Sequence, residues 1–184
     1  VMNTDNMTVS GETIDYGPCA FMDAYDPDTV FSSIDTGGRY AYANQPGIAQ
    51  WNLARLGDAL STLGIDPASL KVALEKYETA YGVAINRVYS EKFGLYQWQD
   101  AEGDVMDAAF ALLMESEIDM TIFFRALATA ESVEALQNAF YLDGQWQQAR
   151  EKWAAWFARY AALVAEQNPT FEQQSARVRR MNAA

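Results

Sequence analysis

The sequence predicts a mainly helical protein that begins with a small β-hairpin. From residue 46 onward, apolar residues recur at the spacing of amphipathic helices, whereas the residues before it combine short β-favouring pieces with glycine and proline. The chain has 184 residues, of which 50% are hydrophobic, so it can bury a sizeable core. We therefore expect one domain with two parts, a motif-bearing region over residues 1–45 and a helical bundle over residues 46–184.

The first region contains the predicted hairpin and a long loop. Residues 7–9 and 13–16 favour extended backbone, and the turn between them falls at Ser10 and Gly11. An irregular stretch follows over residues 21–44. A loop of this length in a compact domain is more often functional than idle.

Start and stop signals mark the helical region. The first helix begins near Pro46 and is predicted to end at Gly64. Its apolar face contains Ile48, Trp51, Leu56, Leu60 and Leu63. Asp66 before Pro67 predicts a second helix, capped by the aspartate and running towards Gly94. The periodicity predicts further helices over about residues 104–116, 119–129, 132–141, 144–167 and 170–181.

Composition excludes several classes of function. A net charge of −12 argues against a nucleic-acid partner and against an anionic membrane surface. No apolar run is long enough to span a membrane. The chain contains no histidine, so it cannot by itself supply a Ser-His-Asp or Cys-His catalytic group, and its oxygen ligands suit hard cations instead. The single cysteine, Cys19, fits a reducing compartment, and we expect a cytoplasmic protein.

The polar residues at the start of the chain match a phosphoryl-transfer site better than a calcium site. An EF-hand loop counted from Asn3 puts Thr8 and Ile14 where a glycine and a glutamate are required. Protein kinases instead hold two metal ions with the asparagine that ends the catalytic loop and the aspartate of Asp-Phe-Gly. Asn6 and Asp15 match these two residues. As a bare pattern the match is weak, and an ordinary structural turn explains the same residues.

The kinase catalytic base has no counterpart at its usual position. It would lie five residues before Asn6, where Val1 stands, and valine cannot accept a proton from a substrate hydroxyl. Asp5 is the nearest carboxylate and lies next to Asn6. The pattern therefore predicts a kinase-like metal site whose proton acceptor is Asp5.

Two other patterns are better explained by structure than by binding. Trp146, Trp153, Trp156 and Tyr160 recur at helical spacing, which favours a packed core over a cofactor or partner groove. The basic stretch over residues 177–180 could clamp a phosphate, but a helix C-terminal turn or a solvated helix face is the stronger interpretation.

Several long motifs carry a family resemblance. NTDNM, GETIDYGP, YDP and GRYAYANQPGIAQWNL lie within residues 1–56, and DMTIFFRAL and the terminal RMNAA follow in the helical region. With these motifs the chain resembles the selenoprotein O family, protein adenylyltransferases once classed as pseudokinases. The resemblance implies that this chain is the C-terminal lobe of a protein-kinase-like fold. In that fold ATP lies reversed, so that AMP rather than phosphate passes to a Ser, Thr or Tyr hydroxyl of a protein.

The resemblance also implies roles for individual residues. Asp5 corresponds to the family's proton acceptor, and Asn6 and Asp15 correspond to its ligands of Mg²⁺ or Mn²⁺, with Asp15 also contacting the nucleotide. These roles agree with those inferred from the residues alone. The loop over residues 21–44 would occupy the place of a kinase activation segment.

Within that loop, Arg39, Tyr40 and Tyr42 are candidates for ordering it or for contacting substrate. Packing against the first long helix explains the same residues at least as well.

Family members carry His-Gly immediately before the residue that matches Val1, with further nucleotide-binding residues earlier. We therefore expect this chain to be a fragment that lacks the N-terminal lobe and is inactive alone. Three other functions stay open: a non-catalytic helical scaffold, a transferase of UMP, and a conventional kinase that transfers the γ-phosphate.

Overall fold

The computed structural model describes residues 1–15, 17, 21–96, 100–168 and 170–184, so Tyr16 and Cys19 of the sequence motifs lie outside the described residues. Its α-helices are α1 Gln45–Ser61, α2 Pro67–Phe93, α3 Asp100–Ser116, α4 Met120–Thr129, α5 Asp143–Gln167 and α6 Phe171–Ala183. Short 3₁₀ helices lie at Thr4–Asn6, Tyr42–Asn44 and Val133–Ala139. The prediction of a mainly helical chain is confirmed, while the kinase-like lobe stays a prediction. Within the described ranges, no helix is both long and apolar enough to cross a membrane.

The chain divides into two compact units. The first comprises Val1–Met22 and Asp26–Val83, and the second comprises Asp23–Tyr25 and Ala84–Ala184. The first unit contains the polar motif and α1, and α2 passes from the first unit into the second after Val83. The predicted division into a motif-bearing region (residues 1–45) and a helical region (residues 46–184) is based on function rather than on compactness, and it stays a prediction.

The predicted cap signal explains where α2 begins. The Asp66 carboxylate accepts hydrogen bonds from the backbone N–H groups of Ala68 (3.3 Å) and Ser69 (3.0 Å), which the first turn of a helix leaves without partners. The hydrogen bonds from Ser69 hold the pKa of Asp66 below its ordinary value. The predicted start of this helix is confirmed.

The residue that follows α2 is a glycine, and a larger residue would not fit at this position. Gly94 follows Phe93 and adopts a left-handed φ of 69°. A β-carbon at Gly94 would lie 2.6 Å from Cγ of Arg177 and 2.6 Å from Sδ of Met181, both in α6. Gly94 therefore lets α6 pack directly against the end of α2.

The core of the second unit is built on the aromatic stripe of α5. Trp146, Trp153, Trp156 and Tyr160 are all buried. The Trp156 indole N–H donates to the Val105 carbonyl (2.8 Å), so the polar edge of this buried ring has a partner. The prediction that the stripe is core is confirmed.

Three local predictions need correction. In α1 the buried residues are Ala49 and Asn52, whereas Trp51 is 44% exposed. The segment over residues 132–141 forms the 3₁₀ helix Val133–Ala139 instead of an α-helix, and α3 begins at Asp100 rather than near residue 104.

The basic stretch of α6 also differs from its prediction. Arg177 is buried, and its guanidinium donates to the Ala128 carbonyl (3.0 Å) and to the Tyr160 hydroxyl (3.2 Å). Arg180 stacks over the Tyr96 ring at 4.2 Å. The interpretation as a helix C-terminal turn or solvated face was wrong for Arg177, because its guanidinium satisfies a carbonyl in the last turn of α4.

Candidate functional site

The polar motif forms a compact turn in the first unit. One isolated antiparallel bridge joins Met7 and Thr13, and the Thr8 N–H donates to the Glu12 carbonyl (3.1 Å). The Thr8 hydroxyl donates to the same carbonyl (2.8 Å). Such side-chain bonds offer the backbone an alternative to a regular ladder. The predicted hairpin is therefore present as a turn with a single bridge, and no strand extends from it within the described residues.

This turn brings Asn6 and Asp15 to neighbouring positions. The Ile14 N–H donates to the Asn6 carbonyl (3.0 Å), directly before Asp15. The Asp15 carboxylate accepts a hydrogen bond from the Gly17 N–H through Oδ1 (2.8 Å). A β-carbon at Gly17 would lie 3.6 Å from Nδ2 of Asn6. Both predicted metal ligands therefore have side chains close to the same glycine.

Among the residues that the structure describes, no donor binds Oδ1 of Asn6 or Oδ2 of Asp15. Nδ2 of Asn6 donates to the Val1 carbonyl (2.9 Å), which fixes the amide and leaves its Oδ1 for another partner. Asp15 uses Oδ1 to accept from Gly17, so Oδ2 is the oxygen that stays open. Amide and carboxylate oxygens are the ligands that Mg²⁺ and Mn²⁺ prefer, so the residues fit such a cation.

These two residues alone do not complete a metal site. Among the described residues, no group of three or more His, Cys, Asp or Glu side chains could hold a metal ion. Mg²⁺ usually takes only one or two protein ligands and completes its shell with water and substrate phosphates. A metal at Asn6 and Asp15 would therefore depend on a bound nucleotide.

Asp5 lies in the 3₁₀ helix Thr4–Asn6 with its side chain exposed. Asn3 caps this helix by accepting the Thr4 N–H through Oδ1 (3.0 Å). No donor in the described part of the chain binds the Asp5 carboxylate, so it is open to a hydroxyl from outside. Asp5 directly precedes Asn6 in the sequence, and its role as proton acceptor stays a prediction.

Polar side chains of α1 anchor the motif, and sequence reasoning missed them. The Met2 N–H donates to Oε1 of Gln45 (2.7 Å), and Nδ2 of Asn52 donates to the Met2 carbonyl (2.8 Å). The same Nδ2 lies 3.0 Å from Sδ of Met7. Asn52 is only 8% exposed. Both anchoring residues lie within the motif GRYAYANQPGIAQWNL. No local pattern marks them, because their partner Met2 lies 43 and 50 residues away in the sequence.

The following loop is ordered by its own side chains. Asp35 accepts the backbone N–H groups of Arg39 and Tyr40, each at 2.8 Å. The Arg39 guanidinium lies 4.7 Å from the ring of Trp51 in α1, and the Tyr40 hydroxyl donates to Oδ1 of Asn3 (3.1 Å). These contacts support the packing interpretation for Arg39 and Tyr40, and they connect the loop to the polar motif.

Comparisons with known proteins agree with the motifs. The model of the family described as "Protein adenylyltransferase SelO" matches residues 1–184. The chain is 42% identical over 193 residues to "Protein nucleotidyltransferase YdiU" of Rhizobium etli (strain CIAT 652), covering 100% of this chain and 37% of that protein. It is 42% identical over 196 residues to the protein of that name from Shouchella clausii (strain KSM-K16), covering 100% of this chain and 40% of that protein. The chain thus spans about two-fifths of the length of these relatives. It belongs to the SelO family.

Proposed function

We propose that the protein containing this chain transfers AMP from ATP to Ser, Thr or Tyr hydroxyls of other proteins. The observation that carries the proposal is the turn that brings Asn6 and Asp15 to the same glycine. Each side chain keeps one oxygen to which no described residue donates. The relatives named protein nucleotidyltransferase support the same class of reaction.

Each residue of the turn has a separate task in this proposal. Asn6 Oδ1 and Asp15 Oδ2 would hold Mg²⁺ or Mn²⁺, and Asp15 would also contact the nucleotide. The bound metal supplies positive charge for the departing pyrophosphate. Asp5 accepts the proton of the incoming hydroxyl. The hydroxyl oxygen bonds to the α-phosphorus of ATP, the bond from that phosphorus to the oxygen shared with the β-phosphate breaks, and pyrophosphate leaves.

The support from α1 belongs to the same proposal. Gln45 and Asn52 hold the backbone of Met2 on both its N–H and its C=O, and Asn3 caps the short helix that carries Asp5. A metal ligand and a base must be held in place by their surroundings to act efficiently. We therefore assign these three residues a positioning role.

Asp5→Ala and Asp15→Ala in the full-length protein test the two roles separately. Asp15→Ala should remove both metal-dependent ATP binding and AMP transfer, because it deletes a ligand and a charge beside the triphosphate. Asp5→Ala should keep most of the ATP affinity and lower turnover by roughly 10²–10⁴-fold, because a general base acts mainly in the transition state. The measurements are ATP affinity by calorimetry and AMP transfer to protein, both at saturating Mg²⁺.

Asp58→Ala is a matched control, since Asp58 is an exposed carboxylate of α1 that pairs with Arg55 (3.0 Å). It should change neither quantity. The assignment of the base is wrong if Asp5→Ala abolishes ATP binding as fully as Asp15→Ala does, or if it transfers AMP at the wild-type rate. UTP in place of ATP distinguishes transfer of UMP in the same assay.

A further inference from the structure

A cavity of about 530 Å³ lies in the second unit, where parts of three helices meet. Its walls are formed by Lys92 of α2, by Met120, Thr121, Phe124 and Arg125 of α4, and by Met181 and Asn182 of α6. We call it the α4 cavity. It shares no residue with the turn that holds Asp5, Asn6 and Asp15, and its lining comes largely from the motifs DMTIFFRAL and RMNAA, which the proposed transfer reaction does not use.

The α4 cavity is positively charged within an acidic chain. Among the described residues, its lining contains Lys92 and Arg125 but no carboxylate. The chain as a whole carries a net charge of −12. Neither cation forms an ion pair with a carboxylate of the described residues, whereas five other basic side chains do: Arg55, Lys71, Arg87, Arg150 and Lys152. Two unpaired cations on one concave surface attract and concentrate anions.

The remaining lining residues suit a ligand with a polar and an apolar end. The Thr121 hydroxyl and the Asn182 amide add neutral hydrogen-bond donors. Phe124, Met120 and Met181 supply an apolar wall, and Lys92 Nζ lies 5.3 Å from the Phe124 ring centroid, which keeps the two kinds of surface adjacent. Small-molecule sites in proteins share this combination of an apolar lining and a few polar groups.

We propose that the α4 cavity binds a small molecule that carries a phosphate group. A phosphate monoester is nearly a dianion at neutral pH, so it matches the two unpaired cations, whereas a single carboxylate matches only one. Arg125 can donate two parallel hydrogen bonds to phosphate oxygens, and Lys92 acts as a point charge. The volume lies within the range of about 300–1,000 Å³ for small-molecule sites, which leaves room for an organic part against Phe124.

The test is a titration of the 184-residue chain followed by backbone amide chemical shifts, with three probes at constant salt. The probes are phenyl phosphate, inorganic phosphate and acetate. Phenyl phosphate should give saturable shifts at Thr121, Arg125 and Asn182. Inorganic phosphate should shift the same amides with weaker affinity, and acetate should bind at least about tenfold more weakly than phenyl phosphate, since it carries a single charge.

Two variants and one control assign the binding to the two cations. Arg125→Gln and Lys92→Gln should each weaken phenyl phosphate binding about tenfold or more, because a charged hydrogen-bond donor is lost. Arg159→Gln removes the same charge from an exposed position on α5 and should leave the affinity unchanged. Since Arg125 is exposed, its replacement is not expected to affect folding, which circular dichroism of each variant checks.

Three results would overturn the proposal. Shifts at other amides with none at the cavity would place anion binding elsewhere. Equal weakening by Arg159→Gln would show that only the net charge matters. Acetate binding as tight as phenyl phosphate would exclude phosphate as the preferred group. None of these results bears on AMP transfer, because the proposed reaction uses residues of the first unit.

Discussion

The anchoring of the polar motif by α1 makes a strong prediction for Asn52→Ala. Asn52 is buried, and its amide is the donor to the Met2 carbonyl at 2.8 Å. Alanine leaves that carbonyl without its partner and opens a small void beside Met7. A hydrogen bond contributes about 0.5–1.5 kcal/mol, and an unsatisfied buried acceptor costs about 1–3 kcal/mol. We expect the free energy of unfolding to fall by about 1–3 kcal/mol in total.

The assay is guanidinium unfolding followed by circular dichroism, on the wild type and three variants. Asn52→Leu keeps the number and branching of the side-chain heavy atoms but removes the donor, so it separates the lost hydrogen bond from the void. Gln50 lies two residues before Asn52 on the same helix. Gln50→Ala removes only a long hydrogen bond to Glu78 (3.4 Å) and should change the free energy of unfolding by less than about 0.5 kcal/mol. If Asn52→Ala and Asn52→Leu both unfold like the wild type, Asn52 does not stabilise the motif, and its positioning role is refuted.

Two further predictions concern the second unit. Gly94→Ala should destabilise the chain by at least about 1 kcal/mol more than Gly64→Ala. Both glycines have a left-handed φ, but only at Gly94 would the new β-carbon meet neighbouring atoms, at 2.6 Å. Equal losses of stability in denaturant unfolding would contradict the close packing of α6. Burial raises the pKa of Tyr160 to about 12, so the folded state keeps a proton that the unfolded state loses near pH 10. Stability should therefore fall by about 3 kcal/mol as pH rises from 10 to 12, and Tyr160→Phe should lack this part of the decrease in pH-dependent unfolding; an unchanged pH profile in the variant would contradict it.

Local signals in the sequence predicted most of the α-helices. The Asp66–Pro67 pair predicts the start of α2, and Gly94 marks its end, because caps and left-handed glycines act through the backbone within a few residues. The aromatic stripe of α5 predicts a buried core for a similar reason, since a 3.6-residue period fixes which side chains share a face. These features depend little on what the rest of the chain does.

Features that depend on distant partners could not be predicted. Arg177 is buried because its guanidinium meets the Ala128 carbonyl and the Tyr160 hydroxyl, and neither residue is near it in sequence. In α1, Asn52 is buried while Trp51 is exposed, because the inner face of the helix meets a backbone carbonyl of the polar motif. A hydrophobic pattern alone assigns these faces the other way round.

The candidate site was predicted in part. The sequence motif pairs Asn6 with Asp15, and in the structure both side chains lie close to Gly17. The contributions of Asn3 and Gln45 come from hydrogen bonds to the backbone and to a neighbouring loop, which no spacing rule describes. The roles of Asp5, Asn6 and Asp15 in catalysis stay predictions.

We propose that the full-length protein transfers AMP, which carries the α-phosphate of ATP, rather than the γ-phosphate. One labelling measurement tests this directly. The full-length protein is incubated with Mg²⁺ and ATP labelled at either the α- or the γ-phosphate, and the label that remains on protein is counted. We predict that the α-label stays on protein hydroxyls and that the γ-label leaves with pyrophosphate. In Asp15→Ala the α-label on protein should disappear. Retention of the γ-label without the α-label would show kinase chemistry and contradict the account, as would the absence of both labels from wild-type protein.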